Sequence, residues 1–200
     1  MDGPLASLFV VGAVFVVTGL WAMAVFNRLV TLKHRTLNAF SQIDVQLVRR
    51  HDLIPNLVEV AGKYMAHERE TLEAVTRARS RAVDAARTLA GGPADVAAIQ
   101  GMAGAQAVLA GALDRLFAVV ENYPDLKADA VMRDLTEELR STENKVAFAR
   151  QAYNDAVNAY NVLLQSFPHV LLARPCGFAE AHHLVFPGTD WQKTPKVALS

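Results

Sequence analysis

The sequence has very little cysteine and no excess of charge of either sign. Cys176 is the one cysteine among 200 residues, which excludes an internal disulfide framework and a Cys-x-x-Cys metal site. The 20 basic and 20 acidic residues cancel, so the chain lacks the basic surface that is typical of nucleic-acid-binding proteins. It also lacks a Gly-x-Ser-x-Gly nucleophile motif and a glycine-rich phosphate-binding loop. No nucleic-acid partner and no cofactor are expected.

Charge is also missing from one long segment near the N-terminus. Residues 5–26 contain no charged residue and no proline. About 22 residues of helix span roughly 33 Å, enough to cross a hydrocarbon core of about 30 Å. A cleaved signal peptide is the main alternative, because Ala22-Met23-Ala24 offers a small-x-small site. However, no basic residue precedes the run, and the run is longer than the apolar region of such peptides. The sequence therefore predicts a transmembrane helix.

The basic residues beside this segment predict its orientation. Arg28, Lys33 and Arg35 follow it, whereas residues 1–4 contain no basic residue. Basic residues flanking a span stay in the cytoplasm. We therefore expect a single-pass protein of the bacterial plasma (inner) membrane, with a short N-terminus outside and everything after residue 26 in the cytoplasm. Trp21 suits the aromatic belt at the inner interface.

Residues 27–167 carry apolar side chains at helical spacing throughout, with no long period-two segment. The first stripe has coiled-coil-like steps of three and four: Leu37, Phe40, Asp44, Leu47, His51 and Ile54. Pro55 cannot donate to the helix, so we expect a kink or a tight break near His51 to Pro55. Helical segments with one apolar stripe must pack together. The sequence predicts an all-α fold, an antiparallel long-helix bundle of the four-helix type.

Three further helices are predicted after Pro55. The second extends from Val58 to Leu89 and is stopped by Gly91-Gly92-Pro93. The third extends from about Val96 to Glu121, with Asp95 as its cap. A turn with Asp125 as a cap leads to the fourth, which covers Met132 to Leu163. Residues 168–200 are predicted to form an irregular tail.

Several motifs, in order along the chain, resemble the signature of the LemA family. They are FSQIDVQL at 40–47 with RRHDLIPNLV at 49–58, ENYPDLK at 121–127, TENKVAFAR at 142–150, and AYNDAV at 152–157 with Tyr160-Asn161 and then Phe167-Pro168. Gly177-Phe178 fits the tail of the family, whereas residues 179–186 depart from it. The resemblance implies a single-span bacterial membrane protein with a cytoplasmic antiparallel helical bundle. It supplies no catalytic residues.

Four polar residues of the first two helices are candidates for chemistry. Asp44 and His51 lie seven residues apart on one stripe, and His67 and Glu68 follow one segment later. If the two helices pack together, these side chains converge on a metal or acid–base site. The alternative is that they are buried polar residues that fix helix register.

Two other polar patterns predict interactions. Arg49-Arg50 suits phosphate or anionic lipid headgroups, or else local ion pairs on a solvated helix face. Amides repeat at seven residues in two rows of the fourth helix, Asn154 with Asn161, and Asn144 with Gln151 and Asn158. Asparagine is a poor helix former. The rows therefore predict a binding face for a partner helix, or a hydrogen-bond network within the chain.

The sequence favours a non-enzymatic, membrane-anchored interaction or scaffold module. Its expected partners are the bilayer, through residues 5–26, and a protein or second copy, through the helical bundle. One alternative is a metal-binding or hydrolytic enzyme, and another is a helical sensor coupled to the membrane. The candidate interaction positions are Asp44, Arg49, Arg50, His51, Asn56, His67, Glu68, Asn144, Asn154, Asn158 and Asn161.

Overall fold

Helices account for all regular secondary structure in the part of the chain that the structure describes. This computed structural model describes residues 3–89, 92–93 and 95–185, and the side chains from residue 7 onward. The helices are α1 (Gly3–Tyr64), α2 (Arg69–Arg87), α3 (Val96–Val120), α4 (Pro124–Ala128), α5 (Ala130–Gln165) and α6 (Val170–Ala173). The predicted all-α fold class is confirmed for these residues.

Two of these helices, α1 and α3, are long and apolar enough to cross a membrane. The apolar window of α1 is only 6% buried in the protein, against 33% for α3. α3 also places eight residues in the interior. A helix that is apolar and exposed on all sides suits a lipid environment. The N-terminal part of α1 is therefore the stronger candidate span.

Pro55 lies inside α1, which continues for nine more residues to Tyr64. The predicted tight break near His51 is therefore wrong. The chain turns at residues 65–68 instead, where the Glu68 N–H donates to the Met65 carbonyl over 3.0 Å. The single helix predicted from Val58 to Leu89 is also wrong, because this turn divides it between the end of α1 and α2.

Residues late in α1 lie beside residues early in α5. Tyr64 donates to Asp129 just before α5, over 3.0 Å. Nearer the other end of α5, the rings of Phe40 and Tyr153 are 5.7 Å apart. The core consists of three buried clusters along this contact, and α2, α3 and α4 pack on the half nearest Tyr64.

Two members of the predicted α1 stripe, Leu37 and Asp44, are exposed. Phe40, Leu47 and Ile54 are buried as predicted. Asp44 is exposed, and Ile43, one residue earlier, occupies the buried position. One residue rotates a helix by about 100°, so the apolar side chain turns inward and the carboxylate turns toward solvent.

Aspartate side chains cap two helices. The Ala97 N–H donates to Asp95 over 2.8 Å, which confirms the predicted cap of α3. The Met132 N–H donates to Asp129 over 3.0 Å, so Asp129 caps α5. Asp125 lies within the first turn of α4 and is not a cap as predicted. The extra short helix moves the start of α5 beyond Asp125.

The first part of the predicted irregular tail packs on the bundle. It contains α6, a turn at Gly177 with φ of +76°, and residues 178–185, which we call the tail segment. Leu184 is buried in the same cluster as Phe40 and Tyr153. Residues 186–200 lie outside the described part of the chain.

Candidate functional site

Pro55 leaves the His51 carbonyl of α1 without a helical donor, and a side chain from α2 binds this carbonyl. A proline has no N–H to donate to the carbonyl four residues earlier, which here belongs to His51. Arg79 of α2 donates its Nε hydrogen to that oxygen over 2.6 Å. A charged donor from a neighbouring helix thus replaces the missing hydrogen bond. A tertiary contact thus replaces the hydrogen bond lost at Pro55, and α1 continues past the expected break.

The His51 side chain is also held by the bundle. It is buried against Gln106 of α3, whose amide nitrogen lies 3.1 Å from the imidazole Nε2. Which of the two nitrogens donates depends on the tautomer of the His51 ring. Burial lowers the pKa of His51, and the charges of Arg50 and Arg79 act in the same direction. His51 is therefore a neutral, hydrogen-bonded member of the interior.

Asp44 and His51 line one open cavity of about 320 Å³, together with Asp52, Arg79 and Arg87. The cavity lining contains two carboxylates and two guanidinium groups, so its formal charges balance. This mixture suits mutual charge compensation better than capture of a cation.

The other two candidates for chemistry lie elsewhere. His67 is exposed in the turn after α1, and Glu68 accepts a 3.4 Å hydrogen bond from Tyr123. From His51 to the end of α1 is about 20 Å of helix, so the four predicted residues do not converge. No group of three or more His, Cys, Asp or Glu is arranged to hold a metal among the described residues. Asn56 is exposed on α1.

Arg49 and Arg50 connect α1 to α5. Arg49 donates to Glu138, with an Nη2–Oε1 distance of 2.6 Å. Arg50 is buried, lies 3.7 Å from Glu143, and its pKa is lowered by burial. Both arginines lie about 35 Å along α1 from residue 26. Ion pairs between helices therefore describe the contacts of both arginines, and both lie far from the apolar N-terminal segment of α1.

The row of Asn154 and Asn161 binds the tail segment through main-chain atoms. Asn154 donates to the Leu184 carbonyl over 3.1 Å and accepts from its N–H over 2.9 Å. Asn161 makes the same pair of bonds with Ala181, at 2.8 and 2.9 Å. We call this row the tail-binding row. It is a hydrogen-bond network within one chain, one of the two roles that the sequence predicted.

Two tyrosines strengthen this contact. Tyr153 donates to the His182 carbonyl over 2.7 Å, and Tyr160 donates to the Ala179 carbonyl over 2.9 Å. Burial raises the pKa of Tyr153 to about 12 and also raises that of Tyr160. Both hydroxyls therefore remain protonated donors at neutral pH.

The spacing of these contacts shows the conformation of the tail segment. A step of seven residues on α5, from Asn154 to Asn161, corresponds to three residues of tail, from Leu184 to Ala181. Seven helical residues rise about 10.5 Å, and three residues cover that distance only when they are nearly extended. The repeated Tyr-Asn pair is therefore matched to an extended peptide running opposite to α5.

The second row, Asn144, Gln151 and Asn158, is exposed, and we call it the exposed row. Phe148 and Val162 lie on the same face at helical spacing and are 72% and 59% exposed. This face thus combines amides with large apolar side chains, a composition suited to a protein partner.

Comparison with known proteins finds relatives for most of the chain. The profile described as the LemA family matches residues 39–199. The chain belongs to the LemA family. It is 27% identical to magnetosome protein MamQ 2 of Paramagnetospirillum magneticum, over 90% of this chain and 72% of the relative. It is 26% identical to magnetosome protein MamQ of Magnetospirillum gryphiswaldense, over 79% of this chain and 64% of the relative.

These relatives support a membrane-associated LemA-like helical protein, and neither the family description nor their names indicates catalysis. Four residues of these contacts were absent from the sequence-based candidates: Arg79, Gln106, Tyr153 and Tyr160. One signal for Arg79 was available, because Pro55 leaves the His51 carbonyl without a donor. Gln106 had no comparable signal, since its role depends on how α3 packs on α1.

Proposed function

We propose that this LemA family member is a single-pass scaffold of the bacterial plasma membrane that acts by binding another protein. In this proposal α1 crosses the bilayer with its N-terminus outside, and the remaining helices form an antiparallel bundle in the cytoplasm. The exposed apolar surface of α1 supports the span. Arg28, Lys33 and Arg35 after it support the orientation.

The observation that carries the proposal is the separation of the two amide rows on α5. The tail-binding row is fully engaged with residues of the same chain. The exposed row is left on the surface beside Phe148 and Val162. Surface amides interspersed with exposed aromatic and β-branched side chains are suited to a helix or an extended segment of a partner.

Site-specific photo-crosslinking in native membranes tests this proposal. A photoreactive amino acid at Asn158 should capture a discrete protein, or a second copy of the chain, that mass spectrometry identifies. The matched control is Ser80, which is exposed on α2. Equal capture at both positions would refute a specific face on α5.

The metal-binding or hydrolytic alternative has a direct test as well. The structure separates Asp44 and His51 from His67 and Glu68, and no contact within the described part of the chain favours this alternative. Stoichiometric iron, zinc or manganese in the purified chain, lost on His51→Ala, would contradict the scaffold role.

A second candidate function is a sensor that transmits movement from the membrane, and the continuity of α1 favours it. One uninterrupted helix joins the apolar segment to residues that contact α2 and α5. Inserting two alanines after Ala24 would rotate the N-terminal part by about 200° relative to the bundle. The sensor idea predicts altered amide exchange in α5 after this insertion. Unchanged exchange would exclude it.

A further inference from the structure

A loop at one end of the bundle lies beside the membrane-proximal part of α1. α5 ends at Gln165, and the chain passes through residues 166–169 into α6. The His169 ring is 6.2 Å from the Trp21 ring, measured between centroids. Trp21 is about 7 Å of helix before residue 26, the end of the proposed span. The loop therefore lies at the height where an interfacial tryptophan is expected.

This loop and α6 together expose two large apolar side chains although their backbone is well held. Phe167 is 79% exposed and Leu171 is 65% exposed. On the other side, Ala173 and Leu164 are buried against Leu29 of α1. The Val170 N–H donates to the Ser166 carbonyl over 2.9 Å. The two exposed side chains are thus displayed on a packed support, pointing away from the bundle.

The charges near the loop suit a lipid surface. Arg174 directly follows α6, and Arg28 lies about 10 Å of helix beyond Trp21. The carboxylate of Glu180, in the tail segment, accepts a 2.9 Å hydrogen bond from Gln165. Basic side chains at headgroup height are attracted to anionic lipids, and aromatic and aliphatic side chains enter the adjacent acyl boundary.

We propose that Phe167 and Leu171 insert into the interfacial zone of the bilayer that α1 crosses, giving the protein a second membrane contact. The proposal rests on the membrane span of the proposed function. Continuity with that span distinguishes the lipid bilayer from other partners, because any protein on this loop would have to occupy the headgroup layer. The contact would hold the bundle at a fixed tilt against the membrane.

An environment-sensitive dye tests the contact in the full-length chain. Cys176, the one cysteine, is replaced by serine, and a nitrobenzoxadiazole dye is attached to Phe167→Cys or Leu171→Cys in nanodiscs of phosphatidylcholine and phosphatidylglycerol. The control is Phe148→Cys, which is similarly exposed and lies about 25 Å away along α5. At positions 167 and 171, spin-labelled lipids should quench the dye and iodide should not. At position 148 the reverse is expected.

Two results would overturn the proposal. One is quenching by iodide at 167 and 171 as strong as at 148. The other is shielding from iodide without quenching by spin-labelled lipid, which would indicate a protein contact at the loop. Alkaline carbonate extraction of cell membranes separates these results from failure of the span. A chain that resists extraction but shows a water-exposed loop retains its anchor and loses only the second contact.

Discussion

The partly buried hydrogen bond from Arg79 to the His51 carbonyl should contribute more to stability than an exposed arginine contact does. Replacing Arg79 with methionine keeps most of the apolar stem and removes the donor. The carbonyl has no intrahelical donor because residue 55 is proline. Hydrogen bonds to charged groups contribute about 1.5–3 kcal/mol. We expect Arg79→Met to lower the free energy of unfolding by this amount.

A double-mutant cycle with Pro55→Ala tests whether the effect of Arg79→Met depends on the proline. Alanine at position 55 supplies the missing N–H, and proline in a helix interior costs about 3 kcal/mol relative to alanine. Pro55 is exposed, so its replacement leaves no core cavity. In the Pro55→Ala background the carbonyl no longer depends on Arg79. The effect of Arg79→Met should therefore fall by about 1 kcal/mol or more.

Denaturant unfolding of the detergent-solubilised full chain, followed by far-UV circular dichroism, measures both effects. Arg77→Met is the matched control, because Arg77 makes an exposed ion pair with Glu73 in the same helix. Such pairs contribute a few tenths of a kcal/mol. If Arg79→Met were equally destabilising with proline and with alanine at position 55, Arg79 would not be compensating for the proline.

Three further changes test other parts of the structure. Burial holds the pKa of His51 below its ordinary 6.5, so the unfolded chain gains a proton at a higher pH than the folded chain. The free energy of unfolding should therefore fall as the pH drops through 6.5 toward the folded pKa. In unfolding measured from pH 8 to pH 5, His51→Gln should reduce this pH dependence. Replacing both Asn154 and Asn161 with alanine should release the tail segment and speed its proteolysis, whereas Asn158→Ala should leave the cleavage rate unchanged. Asp129→Ala removes the cap of α5 and should lower the midpoint temperature of thermal unfolding. An unchanged midpoint would show that the cap contributes little.

Much of the fold was predictable because helical periodicity and caps are local properties. The apolar N-terminal run, the start of α3 at Asp95 and the long α5 all followed from spacing and residue type. Helix ends that depend on distant groups were not predictable. Pro55 removes one hydrogen bond from α1, and the replacement donor, Arg79, lies 24 residues later in the chain.

The candidate site was predictable as a set of residues and not as a set of contacts. The amide spacing on α5 indicated two rows with some purpose, and one of the proposed purposes, a network within the chain, applies to Asn154 and Asn161. Their partners are backbone atoms of the tail segment, and backbone atoms leave no signature in side-chain patterns. His51 and His67 were predicted to converge if the first two helices packed together, but they lie about 20 Å apart along α1 and the turn after it.

By itself, the sequence determined the membrane-associated, all-helical character of this LemA family protein. An uncharged apolar run and a helical spacing of apolar residues are local features of the sequence, and their consequences do not depend on the rest of the fold. Tertiary structure decided where α1 ends, which of the neighbouring residues Ile43 and Asp44 is buried, and which amides of α5 remain exposed. Those outcomes depend on donors and surfaces contributed by other helices, such as Arg79 at the His51 carbonyl, and they exist only after the helices have packed.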